Sequence, residues 1–392
     1  MISQKEEMQG QILSQMDMAK EYEDNEILSL IDELILKDGR KKPMTIDEKD
    51  HLRRELFDSI RKLDILSELL DDNEITEIMV NGYQKIFIER EGKIQKYDHQ
   101  FSSAEKLDDV IQQIVGQCNR IVNEQTPIVD ARLENGSRVN IVLKPVALNG
   151  PILSIRRFPD SPITMSDLIQ NKSITKEAAD FLQKLVVSGY SIMIGGGTSS
   201  GKTTFLNALS YFIPSSERVV TIEDNAELQI QNVENLVRLE CRSGTMNESL
   251  IITMDDLIKS ALRMRPNRII VGEIRGGEAR SYINSLNLGH DGSMATAHAN
   301  SASEMITRLE MMVLMGMELP LPAIKRQIAS GIEILIHLGR DKDGHRRVEE
   351  IVEILGLHKE EVELKTLYER KGGQLIRENN LLHTQKLEKA GL

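Results

Sequence analysis

The chain has 392 residues, room for two or three domains, and its 40% apolar content is that of an ordinary globular protein. A formal charge of −12, no tryptophan and only 4% aromatic residues argue against a non-specific nucleic-acid binder, which needs basic grooves and stacking rings. No apolar run reaches the ~18–20 residues of a membrane-spanning helix, and the acidic start MISQKEEMQGQILSQMD is neither a signal nor a transit peptide, so a cytosolic chain is expected.

Residues 1–72 hold 19 acidic and 11 basic side chains, two thirds of the net charge. Within them NEILSLIDELIL places Ile27, Leu30, Ile31, Leu34 and Ile35 at helical spacing. The capping-box pattern TIDE at 45–48 predicts a second helix running to about Leu70. This is an acidic leader with a helical module. Its charges read as a solvated face, with a docking helix as the alternative.

Residues 73–158 change to a strand-rich pattern and predict an α+β domain. EIMVNGYQKIFIEREGKIQKY alternates around two turn pairs, Asn81-Gly82 and Glu91-Gly92. A helix is expected over Lys106–Val122, with further strands in SRVNIVL and PILSIRRF. PDSP, Pro159–Pro162, marks a linker over 159–165. In 166–356, helices alternate with apolar strands at Ser191–Ile194, Arg218–Glu223, Arg268–Val271 and Ser293–Ala297. That alternation predicts an α/β domain with a mainly parallel, helix-covered sheet. Two more strands are expected either side of Asp341–Gly344, and 357–392 is set apart as a charged tail. Cys118 and Cys241 form no spaced pair and read as buried reduced thiols.

The most specific signal is GGTSSGKTT. It fits G-x-x-x-x-G-K-[ST] between an apolar strand and an amphipathic helix. Gly196, Gly197 and Gly201 let backbone N–H groups of the loop, through Thr198, Ser199 and Ser200, approach phosphate oxygens. The following helix adds its positive end. Lys202 is expected on the β- and γ-phosphates, Thr203 on Mg²⁺, and Thr204 in the helix close to the phosphates.

Acids follow at strand ends, beside the crevice where open α/β sheets bind ligands. TIEDNAEL supplies Glu223, Asp224 and Glu227, candidates for water activation or metal contacts. In NRIIVGEIRGGEA, Glu273 stands where simpler phosphate-loop proteins carry Asp, and Gly272 leaves room beside it. His290 and His298 flank a short strand in GHDGSMATAHANS. Spacing alone leaves a γ-phosphate sensor and a structural role equally open.

These segments, with RMRPNRIIVGEIRGGEA and LPLPAIKRQIASGIEILI, come in the order that resembles the secretion ATPases of type II, type IV pilus and type IV secretion systems. The wording is most similar to the CpaF family of tight-adherence pilus motors. ITEIMVNG, PIVDARLENGSRVNIV and LSIRRFPD extend the likeness upstream, so that it covers about Ile75–Leu355. The resemblance implies a RecA-like C-terminal ATPase domain, a PAS-like α+β N-terminal domain, and a homo-hexamer on the inner membrane's cytoplasmic face. It implies ATP and Mg²⁺ as ligands, pilus or secretion platform proteins as partners, and no nucleic acid. By motif, Gly196–Thr204 resembles the Walker A loop. Glu223, Asp224 and Glu227 look like the Asp box, with Glu227 polarising water. Glu273 takes the Walker B position and can also hold metal, as can Asp224. His290 and His298 fall in the His box, with His298 nearer the γ-phosphate. Arg132, Arg138, Arg156 and Arg157 sit where the family brings N-terminal arginines toward nucleotide. Arg238 and Arg242 are further candidates, with a surface ion pair as the competing reading for each, and Arg263 and Arg265 are read as subunit packing.

Overall fold

A computed structural model describes residues 8, 12, 24–39, 45–61, 63–90, 92–118, 120–133, 135–157, 162–242 and 251–392. The chain divides into two compact units, Met1–Asp160 and Ser161–Leu392. Most of the expected PDSP linker lies outside the described residues.

The first unit opens with α1 (Asp24–Gly39) and α2 (Ile46–Arg61). Ile27, Ile31, Leu34 and Ile35 recur every three to four residues on α1 and bury against Leu56 of α2. Arg53 of α2 adds a two-pronged pair to Asp32, at 2.6 and 3.1 Å. The second helix does not continue to Leu70. Asp64 takes a left-handed φ of 53°, which a right-handed helix cannot pass through, and α3 (Ile65–Asp71) starts afresh. Leu66 and Leu69 of α3 join the core of the following sheet, so the boundary expected at 72 falls inside a packed unit.

That sheet has six strands in the order β3-β2-β1-β6-β5-β4, all antiparallel. They are β1 (Ile75–Asn81), β2 (Ile86–Arg90), β3 (Lys93–Tyr97), β4 (Ile128–Arg132), β5 (Arg138–Val142) and β6 (Ile152–Arg156). Every second residue, such as Ile78, Val80, Val139, Ile141, Leu153 and Ile155, points to one buried face. α4 (Ala104–Gln117), N-capped by Ser103, buries Leu107, Val110, Ile111, Ile114 and Val115 in the same core. The opposite face of the sheet carries the arginines considered below.

The second unit is a nine-stranded sheet in the order β15-β14-β13-β12-β7-β11-β10-β8-β9. Six strands are parallel: β7 (Ile192–Gly196), β8 (Val219–Glu223), β9 (Leu236–Glu240), β10 (Arg268–Ile274), β11 (Met294–Ala297) and β12 (Ile334–Arg340). Their residues alternate between two cores. Ile192, Ile194, Val219 and Ile270 pack on one face with α5 (Met165–Gln170), α6 (Lys176–Val187) and α7 (Lys202–Ser210). Met193, Val220, Ile269 and Val271 pack on the other with α8 (Met254–Ala261), α9 (Ala279–Asn287), α10 (Ala302–Gly316) and α11 (Leu321–Gly331).

The segment expected as a tail is part of this sheet. β13 (Arg346–His358), β14 (Glu361–Lys371) and β15 (Gln374–Arg377) extend it by antiparallel pairing, and α12 (Gln385–Ala390) follows. The buried Glu353 carboxylate accepts the backbone N–H groups of Leu382 and His383, both at 2.8 Å, and Tyr190 Oη donates to His383 O at 2.6 Å. The boundary expected at 356 is therefore corrected: it would cut β13.

Candidate active site

The parallel strands point their C-terminal ends at one edge, and the phosphate loop gathers there with Glu223, Asp224, Glu273 and His298. Gly196 ends β7, and Lys202 opens α7 after the turn. Ser199 and Gly201 take left-handed φ values of 58° and 92°. A Cβ at Gly196 would stand 2.3 Å from Ser200 Oγ and 2.7 Å from Leu338 O, while one at Gly197 would meet nothing. Glycine at 196 thus closes the turn, and the face at 197 stays open to a ligand. Thr203 and Thr204 lie in the first turn of α7, whose N–H groups have no acceptor within the helix.

Lys202 is buried. Its Nζ donates to Gly196 O and Gly197 O at 3.2 and 3.1 Å. It also lies 3.6 Å from Glu273 Oε1 and 3.4 Å from His298 Nδ1. His298 Nε2 is 2.7 Å from the same Glu273 oxygen, although that oxygen has no well-aligned hydrogen bond. Burial, then Lys202, holds the His298 pKa below its ordinary value, against the pull of Glu273. At pH 7 the ring is therefore neutral. The tautomer that fits carries its proton on Nε2 toward Glu273 and accepts from Lys202 at Nδ1, an assignment made from these partners.

Glu223 is the last residue of β8 and only 2% exposed. Its Oε2 accepts the N–H groups of Glu227 and Leu228 at 2.7 and 2.8 Å. Burial pushes its pKa up to about 7, against the lowering effect of those two amides. Glu223 therefore builds the turn that presents Glu227. A Cβ at Gly272 would meet Glu223 Cγ at 3.0 Å, so the space that glycine leaves is taken by Glu223 and not by Glu273. Thr296 Oγ1 donates to Gly272 O at 2.7 Å and fixes this strand against β11.

Burial also pushes Glu273 up, but Arg275, Lys202 and His298 outweigh it and hold the carboxyl below its usual range. Asp224 lies on the same side, 3.6 Å from Arg275 Nη1. The neighbouring Cys241 thiol is pushed up to about 12, by burial and then by Asp224. Cys118 and Cys241 are both partly exposed, which corrects the expectation of buried thiols.

Two residues of this edge carried no role in the sequence reading. Arg275 follows Glu273 by two positions, which along a strand means the same face, so alternation could have flagged it. Arg346 donates from Nε to Ser199 O at 3.1 Å and covers the outer side of the loop from the β12–β13 hairpin. No local pattern announces it.

His290, expected with His298 in one box, does not join Lys202, Glu273 and His298. Its Nδ1 is 3.2 Å from Pro266 O, before the start of β10, at the opposite edge from His298. Arg263 and Arg265 also precede β10, at that opposite edge. Arg238 of β9 donates to Leu228 O at 3.1 Å, beside the Glu223 turn, and Arg242 bridges to Ile252 through the backbone.

The N-terminal arginines belong to the first unit. In the open face of its sheet, Arg132, Arg138 and Arg156 are direct cross-strand neighbours on β4, β5 and β6, and Glu77 on β1 continues the row. Like charges directly opposite one another are destabilising, so the row is a cationic stripe held at some expense. Arg157 is different. It donates to Asp72 O, to Ile75 O at 3.2 Å and to Asn73 Oδ1 at 3.0 Å, tying β6 to the turn before β1. That is a structural role.

The residues fit a nucleoside triphosphate with its metal. Ser200 Oγ and Glu223 Oε1 are buried without a hydrogen-bond partner among the described residues, and the Gly197 face is open. No three His, Cys, Asp or Glu groups among the described residues make a ready metal site. Mg²⁺ arrives with phosphates and needs only one or two protein carboxylates, and Glu273 and Asp224 both meet Arg275 at this edge.

Comparison with known proteins settles the family. The model of the type II/IV secretion system protein family matches residues 60–384. The chain belongs to this family. Its relatives include the uncharacterized protein MJ0781 of Methanocaldococcus jannaschii, 40% identical over 63% of the chain, although the match spans only 35% of that longer protein. The type IV secretion system protein VirB11 of Brucella suis is 33% identical, over 70% of this chain and 84% of its own. The crystal structure of the pilus retraction motor PilT with bound ADP aligns with 84% of this chain and 86% of that one at a TM-score of 0.52 and 16% identity, a likeness of fold. Most of the α/β second unit, the phosphate loop included, lies within the residues matched by that family model. No helix among the described residues is long and apolar enough to cross a membrane.

Proposed function

We propose that this chain is a motor ATPase of the CpaF kind, which hydrolyses ATP to ADP and phosphate to drive pilus assembly. It works as a homo-hexamer on the cytoplasmic face of the inner membrane, against platform proteins there. Extension is the primary stroke and retraction a second use. The observation that carries the reading is the convergence of Lys202, Glu273 and His298 within 3.6 Å, beside the turn built by Glu223.

The loop Gly196–Thr204 cradles the phosphates, and Lys202 leaves its backbone carbonyls for the β- and γ-oxygens. Glu227 orients the attacking water and takes its proton as the bond from γ-phosphorus to the ADP oxygen breaks. Thr203, Glu273 and Asp224 would hold Mg²⁺, which when bound would neutralise charge on the phosphate oxygens. His298, neutral and set between Lys202 and Glu273, reports whether the γ-phosphate is present. Arg132, Arg138 and Arg156 remain the candidates for stabilising charge on the γ-phosphate.

A second reading is a type IV secretion motor that exports protein or DNA, favoured by the 33% identity to VirB11. A third, a nucleotide-dependent scaffold without hydrolysis, predicts tight ATP binding and no phosphate release. Affinity purification of the full chain from membranes separates the first two. Co-purification of a pilus platform protein and pilin supports the pilus motor, whereas recovery of a secretion-channel complex replaces it.

A further inference from the structure

Arg275 occupies the position where two of the proposed metal ligands meet. Its Nε donates to Glu273 Oε2 at 2.8 Å, its Nη2 contacts the same oxygen, and its Nη1 is 3.6 Å from Asp224 Oδ2. The backbone beneath it is fixed. Arg275 and Gly276 both donate their N–H to Glu278 Oε1, at 2.7 and 2.8 Å. Gly277 packs so closely on the end of α10 that a Cβ would stand 2.9 Å from Gly316 Cα. The side chain, by contrast, is 61% exposed and can swing into solvent. Two carboxylates that must later face a divalent cation are thus bridged by a monovalent one on a movable arm.

We propose that Arg275 is a built-in stand-in for the divalent cation: it bridges Glu273 and Asp224 and keeps them turned toward one point while no metal is bound, and it is displaced when metal enters with nucleotide. The inference rests on the reading of Glu273 and Asp224 as metal ligands. It makes Arg275 a positioning residue, and it makes metal entry a competition. Without Arg275, a cation would find Asp224 and the outer oxygen of Glu273 relieved of their bridging charge and bind more tightly. Nucleotide without metal would lose a nearby positive charge and bind no better than before. A residue that merely supported the fold would weaken both.

The test uses the full chain, with Mn²⁺ as the probe. Half-saturation of the ADP complex by Mn²⁺ is followed by electron paramagnetic resonance, and affinity for a fluorescent ADP is measured in EDTA. Arg275→Gln is expected to lower the half-saturating Mn²⁺ concentration roughly tenfold, without improving ADP binding in EDTA. Arg275→Lys, which keeps the charge but not the fork, is expected to fall between the two and covers the case of a poorly folded Gln variant. Unchanged or weaker Mn²⁺ binding in both variants, while Glu273→Gln weakens it, overturns the proposal and leaves the metal reading intact. If Glu273→Gln also leaves Mn²⁺ binding unchanged, the metal reading falls and the proposal with it.

Discussion

Replacing Glu223 by glutamine tests the strand-end acids through stability, without recourse to turnover. The carboxyl is 2% exposed, and its pKa is raised from 4.5 to about 7, chiefly by burial. A raised acid binds a proton more readily folded than unfolded, so folding loses stability as pH climbs from about 4.5 toward 7. Above that window the penalty is complete, and below 4.5 it is absent. A shift of about 2.5 units corresponds to about 3 kcal/mol. Glutamine carries no charge to desolvate, and its amide oxygen can still accept from the Glu227 and Leu228 N–H groups. Glu223→Gln is therefore expected to match wild type at pH 4.5 and to exceed it by about 3 kcal/mol at pH 8. In a unit of this size that is roughly 6–12 °C in melting midpoint. Paired thermal melts of the nucleotide-free protein across pH 4.5–8 measure it. A difference that does not change with pH, or a variant less stable at pH 8, would refute the buried-acid argument.

Two further expectations concern the chemistry. Glu227→Gln removes the proposed water-orienting carboxylate and should slow turnover by about 10²–10⁴ while ADP affinity stays close to wild type; equal losses in both would make Glu227 a binding residue instead. Arg138→Gln interrupts the cationic stripe and should lower kcat by up to about 10³, with the fold intact by circular dichroism, and normal turnover would release this arginine from the site.

Much of the second unit was legible because each signal was local. The phosphate loop announces itself through glycines that its backbone requires, and Glu223, Glu273 and His298 all fall at or within one residue of the ends of short apolar strands. Residues that depended on non-local geometry were misjudged. His290 and His298 look like a pair in sequence, but the four residues of β11 separate them by about 13 Å and place them at opposite edges. Gly272 was read with its neighbour Glu273, yet its empty side faces Glu223 on the adjacent strand. In the supposed tail, Val362 and Leu364 alternate with Glu361, Glu363 and Lys365, a strand pattern whose charges obscured it. Only pairing with the long β13 shows that it belongs to the sheet. Asp64 gave no warning that α2 would stop short of Leu70, since nothing in its side chain demands a left-handed φ.

Phosphate release from Mg·ATP by the purified full chain, set beside the Lys202→Ala variant, bears most directly on the account. Steady multiple turnover in wild type, reduced about 10²-fold or more by the lysine change, is the predicted result. Tight ATP binding with no phosphate released, or turnover indifferent to Lys202, would contradict it.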